Sequence, residues 1–208
     1  MSVPTMAMFP LGLVVLPGAV VPLHVFEPRY RALVRSLLAI DGPMRFGIPP
    51  IMRGSEVGGG DVRGDVATVV DILDLRVHDD GRYDMVVAGT ARVEIRSWLP
   101  EDPFPHAEVA PFPDVDGDRV PSDSDVGSRL ERIERMLGRM RRLGDPVPES
   151  VPALDVDPVV RVFQLGVVAP VCDLDRLGML VARSAHERLR VLDRALDDVE
   201  AVLDFRES

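Results

Sequence analysis

Two hydrophobic periods divide the chain. Residues 11–16 and 20–26 are aliphatic or β-branched runs of strand length, parted by Pro17-Gly18. That dipeptide suits a type II turn, with proline presetting φ and glycine taking the positive φ that follows. The second run closes on Glu27-Pro28, a proline at the first helical position beside a carboxylate at the positive helix end. Tyr30, Leu33, Val34, Leu37 and Leu38 then recur at helical spacing. The opening predicts strand, tight turn, strand, helix.

Period two returns further on. Residues 44–49 predict a short strand, and residues 66–77 a long one in which Leu73, Leu75 and Val77 alternate with Asp74, Arg76 and His78. Asp79-Asp80-Gly81 is a hairpin signal. Tyr83, Met85 and Val87 line one face of the return strand, Gly89 marks a bend or bulge, and residues 106–110 add a last strand. Residues 111–127 are rich in Pro, Asp, Ser and Gly and read as a connector.

The period then becomes helical. A Ser128-x-x-Glu131 capping box opens a helix to about residue 143, with Leu130, Ile133, Met136, Leu137 and Met140 on one side. Arg132, Arg135, Arg139 and Arg142 form a stripe on another side, read as a solvated face paired with Glu131 and Glu134, or as a docking stripe for acid or phosphate. Asp157-Pro158 opens a helix presenting Val160, Phe163 and Val167. Asp173 caps another that turns Leu174, Leu177 and Leu180 inward, and Ser184 caps the longest, with Leu189, Leu192, Leu196, Val199 and Leu203.

These elements divide the chain into a β domain over residues 1–115, an acidic linker over 116–127 and a helical bundle over 128–208. The three helices after residue 157 carry more apolar face than they can bury among themselves. The bundle is therefore expected to pack on the β domain.

Composition narrows the chemistry. With 46% apolar residues and a net charge of −10 in 208 residues, the chain can bury a core and stay soluble. Uncharged residues 1–26 are broken by four prolines and two glycines, and no arginine precedes Arg29, so neither a signal peptide nor a spanning helix fits. A cytoplasmic location is expected. Cys172 is the single cysteine and lies in an apolar segment, where inert packing is expected. Gly58-Gly59-Gly60 lacks both phosphate-loop and dinucleotide spacing, and the chain contains no lysine. Its four histidines stand in four different elements without metal-ligand spacing. No cofactor and no metal is expected.

The order Phe9-Pro10-Leu11, Leu16-Pro17-Gly18, Pro22-Leu23-His24-Val25-Phe26-Glu27-Pro28-Arg29-Tyr30 resembles the opening of the N-terminal, substrate-binding domain of Lon proteases. That domain also occurs in stand-alone bacterial proteins. Residues 64–69, 87–95 and the tail 157–204 fit the same family. Residues 102–127 match it poorly, Leu16 stands where an aromatic is common, and Asp65 where a small polar residue is common. The resemblance implies an α+β fold: a PUA-like small β-barrel or curled sheet with one early helix, then a C-terminal helical bundle. It implies a non-enzymatic, ATP-independent module whose partners are unfolded or extended polypeptides and a protease or chaperone. The full protease needs a Walker lysine and a Ser-Lys dyad, which this sequence does not contain.

Met44, Phe46, Met52, Trp98 and Phe104 near strand ends and loops are the expected peptide-binding residues, on a groove between the barrel edge and the bundle. Pro17, Gly18, Phe26, Glu27, Pro28, Arg29 and Tyr30 are the expected structural motif, with Glu27 and Arg29 serving capping and local pairing. The alternative is PUA-like RNA binding through the arginine stripe, opposed by the acidic net charge and by the lack of an aromatic-basic motif. Membrane partners are not expected.

Overall fold

The computed structural model describes residues 4–54, 60–115 and 120–208. The glycine run at 58–60 lies outside the described residues except for Gly60. The chain divides into two units, Met1–Phe112 and Pro113–Ser208. The first holds strands β1 (Thr5–Ala7), β2 (Val20–Val25), β3 (Arg45–Ile48), β4 (Ile51–Arg53), β5 (Val62–Arg63), β6 (Val66–Val77), β7 (Tyr83–Trp98) and β8 (His106–Pro111), with helix α1 (Pro28–Leu38) after β2. The second holds α2 (Asp123–Arg142), α3 (Pro158–Val168), α4 (Asp173–Val181) and α5 (Ala185–Glu207). The architecture is α+β.

Strand β7 is the spine of the first unit. Its sheet runs β1-β8-β7-β6-β3, entirely antiparallel, with β2 added on β7 and β4-β5 forming a separate ribbon. β6 follows β7 along most of its length. The other edge of β7 is shared, β2 taking Tyr83 to Ala88 and β8 taking Val93 to Trp98. The sheet curls because the chain beyond β1 returns to β3. Met8 bridges Gly47, Phe9 N–H donates to Gly47 O, and Leu11 N–H donates to Pro49 O. Inside lie Met8, Phe46, Ile48, Val70 and Val87, together with Leu33 and Val34 from α1.

The gap between β2 and β8 is filled by the predicted turn. Gly18 adopts φ 80°, and Ala19 N–H donates to Leu16 O at 3.0 Å, closing the turn. Gly18 N–H donates to Gly89 O at 2.8 Å and Gly89 N–H to Ala19 O at 2.9 Å. A Cβ on Gly89 would stand 2.5 Å from Leu16 O, so only glycine admits the turn there. The β6–β7 register shifts beside this position, as the sequence suggested.

Several expectations change. Residues 11–16 are not a strand: Val15 and Leu16 are buried, but the backbone is irregular, and Val15 O accepts from the buried Thr68 hydroxyl at 2.6 Å. Thr5–Ala7 supplies the first strand instead. Leu73 is exposed where a register shift between Ile72 and Asp74 breaks the alternation, and Val77 is exposed at the end of β6. α2 begins one turn and a half early, capped by Ser122 and Asp125 rather than by Ser128 and Glu131. Leu174 is exposed and Met179 is buried in its place. Cys172 is exposed at the start of α4, its thiol donating to Asp175 at 3.0 Å.

In the second unit, α2 and α5 run in the same direction. Arg129 pairs with Asp193, Arg132 with Asp197 and Glu200, and Arg139 with Asp204 and Glu207, each with a contact of 2.6 or 2.7 Å. Both partner numbers rise together, so the helices are parallel. Of the expected stripe, Arg132 and Arg139 thus find their carboxylates on α5, while Arg135 only approaches Glu131 within α2, at 3.9 Å. Ile133, Met136 and Leu137 of α2 are buried, as are Leu192, Leu196 and Leu203 of α5.

Arg188 of α5 is the most deeply placed charge. It is fully buried, holds Asp114 through two bonds of 2.7 and 2.5 Å, and lies 4.0 Å over the Phe163 ring. Removing one partner strands the other charge in apolar surroundings. We therefore expect Asp114→Ala to destabilise the second unit by about 3–5 kcal/mol. Replacing both residues, by Arg188→Met with Asp114→Leu, should cost less. Urea titration of the full chain followed by circular dichroism checks both, and an unchanged midpoint for Asp114→Ala would contradict a buried pair.

Candidate functional site

The opening motif folds back on itself. Phe9 stacks on Tyr30 at 3.9 Å between centroids, tilts against Phe46 at 5.8 Å, and Tyr30 carries the Arg29 guanidinium 4.5 Å from its centroid. Burial pushes the Tyr30 hydroxyl up to about 12, with Arg29 opposing and Glu27 reinforcing. Pro28 starts α1, but Glu27 makes no side-chain capping bond. Its carboxylate pairs instead with Arg29 at 3.3 Å.

That pair belongs to a chain of alternating charge. Arg29 also reaches Glu101 at 3.6 Å, Glu101 accepts from Arg63, and Arg63 pairs with Asp61 at 2.6 Å. The Arg63 guanidinium lies 4.4 Å over the Trp98 ring. Burial pulls the Asp61 carboxyl up, but hydrogen bonding and charge from Arg63 outweigh it and leave the group below its ordinary value. The charged residues of the motif are thus committed to tying α1 to the segments around β5 and the end of β7.

What the motif leaves open is apolar. Phe9, Leu11 and Leu13 form one wall and Leu23, Val25 and Phe26 the other wall of a groove of about 180 Å³. Among the described residues Glu27, already paired, is its only charged lining residue. Leu13 and Phe26 stand at the surface with 36% and 51% of their areas exposed. β2 pairs only with β7, so its other edge has no strand partner among the described residues. Pro22, which cannot donate a ladder bond, suits such an edge.

The groove meets a second, more open cleft of about 630 Å³ that shares Pro22, Leu23 and His24 and is completed by β6 and β7. Register places His24, Asp84 and Arg76 in one cross-strand row and Pro22, Val86 and Asp74 in the next. Asp84 is bridged by two imidazoles, His24 through Nδ1 and His78 through Nε2 at 2.6 Å. Hydrogen bonds from His24 and then His78 hold its carboxyl below the usual range. Among the described residues no group of three or more His, Cys, Asp and Glu side chains is arranged to hold a metal ion. No helix among them is long and apolar enough to cross a membrane.

The expected peptide-binding residues do not converge. Phe46 is fully buried against Phe9, and Phe104 is buried and stacked on His106 at 4.2 Å. Both are core residues. Trp98 is half-buried, packed on the core beneath Arg63. Met44 is half-buried before β3, and Met52 is exposed on β4. None of the five lines the groove, whereas Phe26 and Tyr30, read as structural, do. Leu13 and Leu23 were missed; their signal was an apolar run beside an edge strand containing proline.

The model of the ATP-dependent protease La (Lon) substrate-binding domain family matches residues 5–198. No curated sequence matches the chain. Among solved structures, it is similar to the Lon N-terminal domain protein from Xanthomonas campestris, with 27% identity, a TM-score of 0.66, and 91% of this chain and 96% of that one covered. It shares the fold of the N-terminal domain of the Mycobacterium avium complex Lon protease, at 17% identity and a TM-score of 0.63, over 94% and 99% of the two chains.

The Asp84 bridge carries a pH signature. A carboxyl whose pKa falls on folding adds stability above its unfolded value, about 3.9, and loses it as pH drops through the folded value. The gap in urea midpoint between the unsubstituted protein and Asp84→Asn should therefore be wider at pH 7 than at pH 3. A gap independent of pH would mean that the bridge adds nothing through ionisation.

Proposed function

The chain belongs to the family of the ATP-dependent protease La (Lon) substrate-binding domain, and from that premise we propose that it binds unfolded or extended polypeptide without catalysing a reaction. The observation that carries this reading is the groove itself. The stretch that most resembles the family, residues 9–30, supplies both walls and exposes Leu13 and Phe26 on them. Contiguous exposed apolar surface, especially in a concave site, commonly marks a place where something binds. An unpartnered strand edge beside it offers main-chain hydrogen bonds to an extended chain, while the groove accepts side chains.

The RNA reading loses its main support. Of the stripe, Arg132 and Arg139 are held by carboxylates of α5, which halves the positive charge it offers phosphate. The net charge of −10 acts in the same direction.

One or two apolar anchors in a shallow groove correspond to dissociation constants in the micromolar range, about −8 kcal/mol. Fluorescence anisotropy with a labelled, permanently unfolded protein should show saturable binding that changes little with salt. An RNA of similar mass should not bind. Leu13→Asp should leave the melting temperature near that of the unsubstituted protein and weaken polypeptide binding about tenfold. Undiminished binding by that variant would move the site elsewhere, and no binding at all would end the reading.

A further inference from the structure

We infer that His24 reads the residue next to the apolar anchor of a bound segment, and that acidification turns its preference toward a carboxylate. This rests on the polypeptide-binding reading above and adds the flanking chemistry and pH response of that same site. Along β2, Val21, Leu23 and Val25 are the more buried positions and Val20, Pro22 and His24 are exposed. Successive side chains of a strand point to opposite faces, and a strand added beside β2 keeps its faces matched to those of β2. Leu23 and Val25 line the groove, and His24 stands between them. A side chain seated against either one therefore has an immediate neighbour on the other face, beside His24.

The ring is held in a defined state. His24 Nδ1 donates to Asp84, which also accepts from His78 Nε2 at 2.6 Å. An ionised carboxylate has no hydrogen to give, so Nδ1 carries the hydrogen of the neutral ring and Nε2 is a bare acceptor. Nε2 lies across the ring from that bond and has no hydrogen-bond partner among the described residues. Half of the His24 side chain is exposed.

Imidazole is the side chain that gains charge between pH 8 and pH 5. Protonation turns Nε2 from an acceptor into a charged donor, while Asp84, held below the usual carboxylate range by its hydrogen bonds, stays ionised. The charged and titratable groups around the ring are Asp84 on β7, Arg76 and Asp74 on β6, and His78 just after β6. On the groove side stands Glu27, which Arg29 already holds. With neutral rings, Asp74 and Asp84 outweigh Arg76; with both rings charged, the balance is positive. A carboxylate beside the anchor is thus opposed at pH 8 and attracted at pH 5.5, where glutamate is still ionised.

Labelled peptides carrying Glu-Leu-Glu or Gln-Leu-Gln in a Gly/Ser host test this by anisotropy on the full chain at pH 8 and pH 5.5. Both flanks are substituted, so that one meets His24 whichever way the segment runs. The unfolded protein is titrated in parallel. The affinity of Glu-Leu-Glu relative to Gln-Leu-Gln should rise about threefold from pH 8 to pH 5.5 at low salt, and less at high salt. His24→Gln, at an exposed position, should abolish most of that rise. His78→Gln, on the far side of β7 from β2, should keep most of it. A ratio that does not change with pH would overturn this inference alone, provided the unfolded protein still binds. So would a rise that survives His24→Gln, which would assign it to the overall charge, or a failure of both peptides to bind. Loss of binding for all ligands, unfolded protein included, would overturn the polypeptide reading as well.

Discussion

The first unit depends on one close approach of backbone to backbone. Residues 16–19 lie against β7 at Gly89, with a hydrogen bond in each direction and no room for a Cβ. The contact needs two glycines for two different reasons, Gly18 for its positive φ and Gly89 for its missing side chain. It sets where β2 begins and hence its register on β7, and with it the rows His24–Asp84–Arg76 and Pro22–Val86–Asp74. It also returns residues 9–13 to a position facing β2, which makes the groove. The Thr68 hydroxyl fixes the same segment from β6.

The second unit is organised by a different force. Ion pairs between partly exposed side chains contribute about 0–1 kcal/mol each, so the ladder from α2 to α5 adds less stability than the apolar residues buried on the two helices. Its stronger consequence is directional. Parallel neighbours bring like ends of their macrodipoles together, which is unfavourable, and a ladder with matched charges at three successive levels rewards this one register. It also commits three arginines that would otherwise be available to anions. The Arg188–Asp114 pair is the opposite case, buried and costly to break.

Local chemistry was legible in the sequence; the partners of each segment were not. The turn at Pro17-Gly18, the start of α1 at Pro28, the hairpin at Gly81 and the caps at Asp157 and Ser184 are encoded within a few residues, and all appear in the structure. Residues 11–16 look like a strand because burial selects the same residues with or without a ladder; their hydrogen bonds go to distant groups such as Thr68 and Pro49. Leu73 was misread because a bulge depends on the opposing strand. Ser122 and Ser128 both offer capping chemistry, and Asp125 in place of Glu or Gln hid the one that is used. Phe46 and Phe104 satisfied the composition of a binding surface, yet composition cannot separate an aromatic that faces the core from one that faces solvent.

The charged half of the opening motif and its apolar half do different work. Glu27 and Arg29 are drawn, through Glu101, into a partly buried chain that ends at Arg63 and Asp61. Such a chain holds only if each member keeps its neighbour, since an unpaired charge there would cost more than the pair contributes. It therefore fixes the angle at which α1 leaves β2, and with it the position of Tyr30 against Phe9. Once those residues are committed to holding the walls, the groove is left with apolar contacts and an unpaired strand edge. Contacts of that kind read shape and main chain more than sequence. Under the polypeptide-binding reading proposed above, few anchors would let one groove accept and release many different segments.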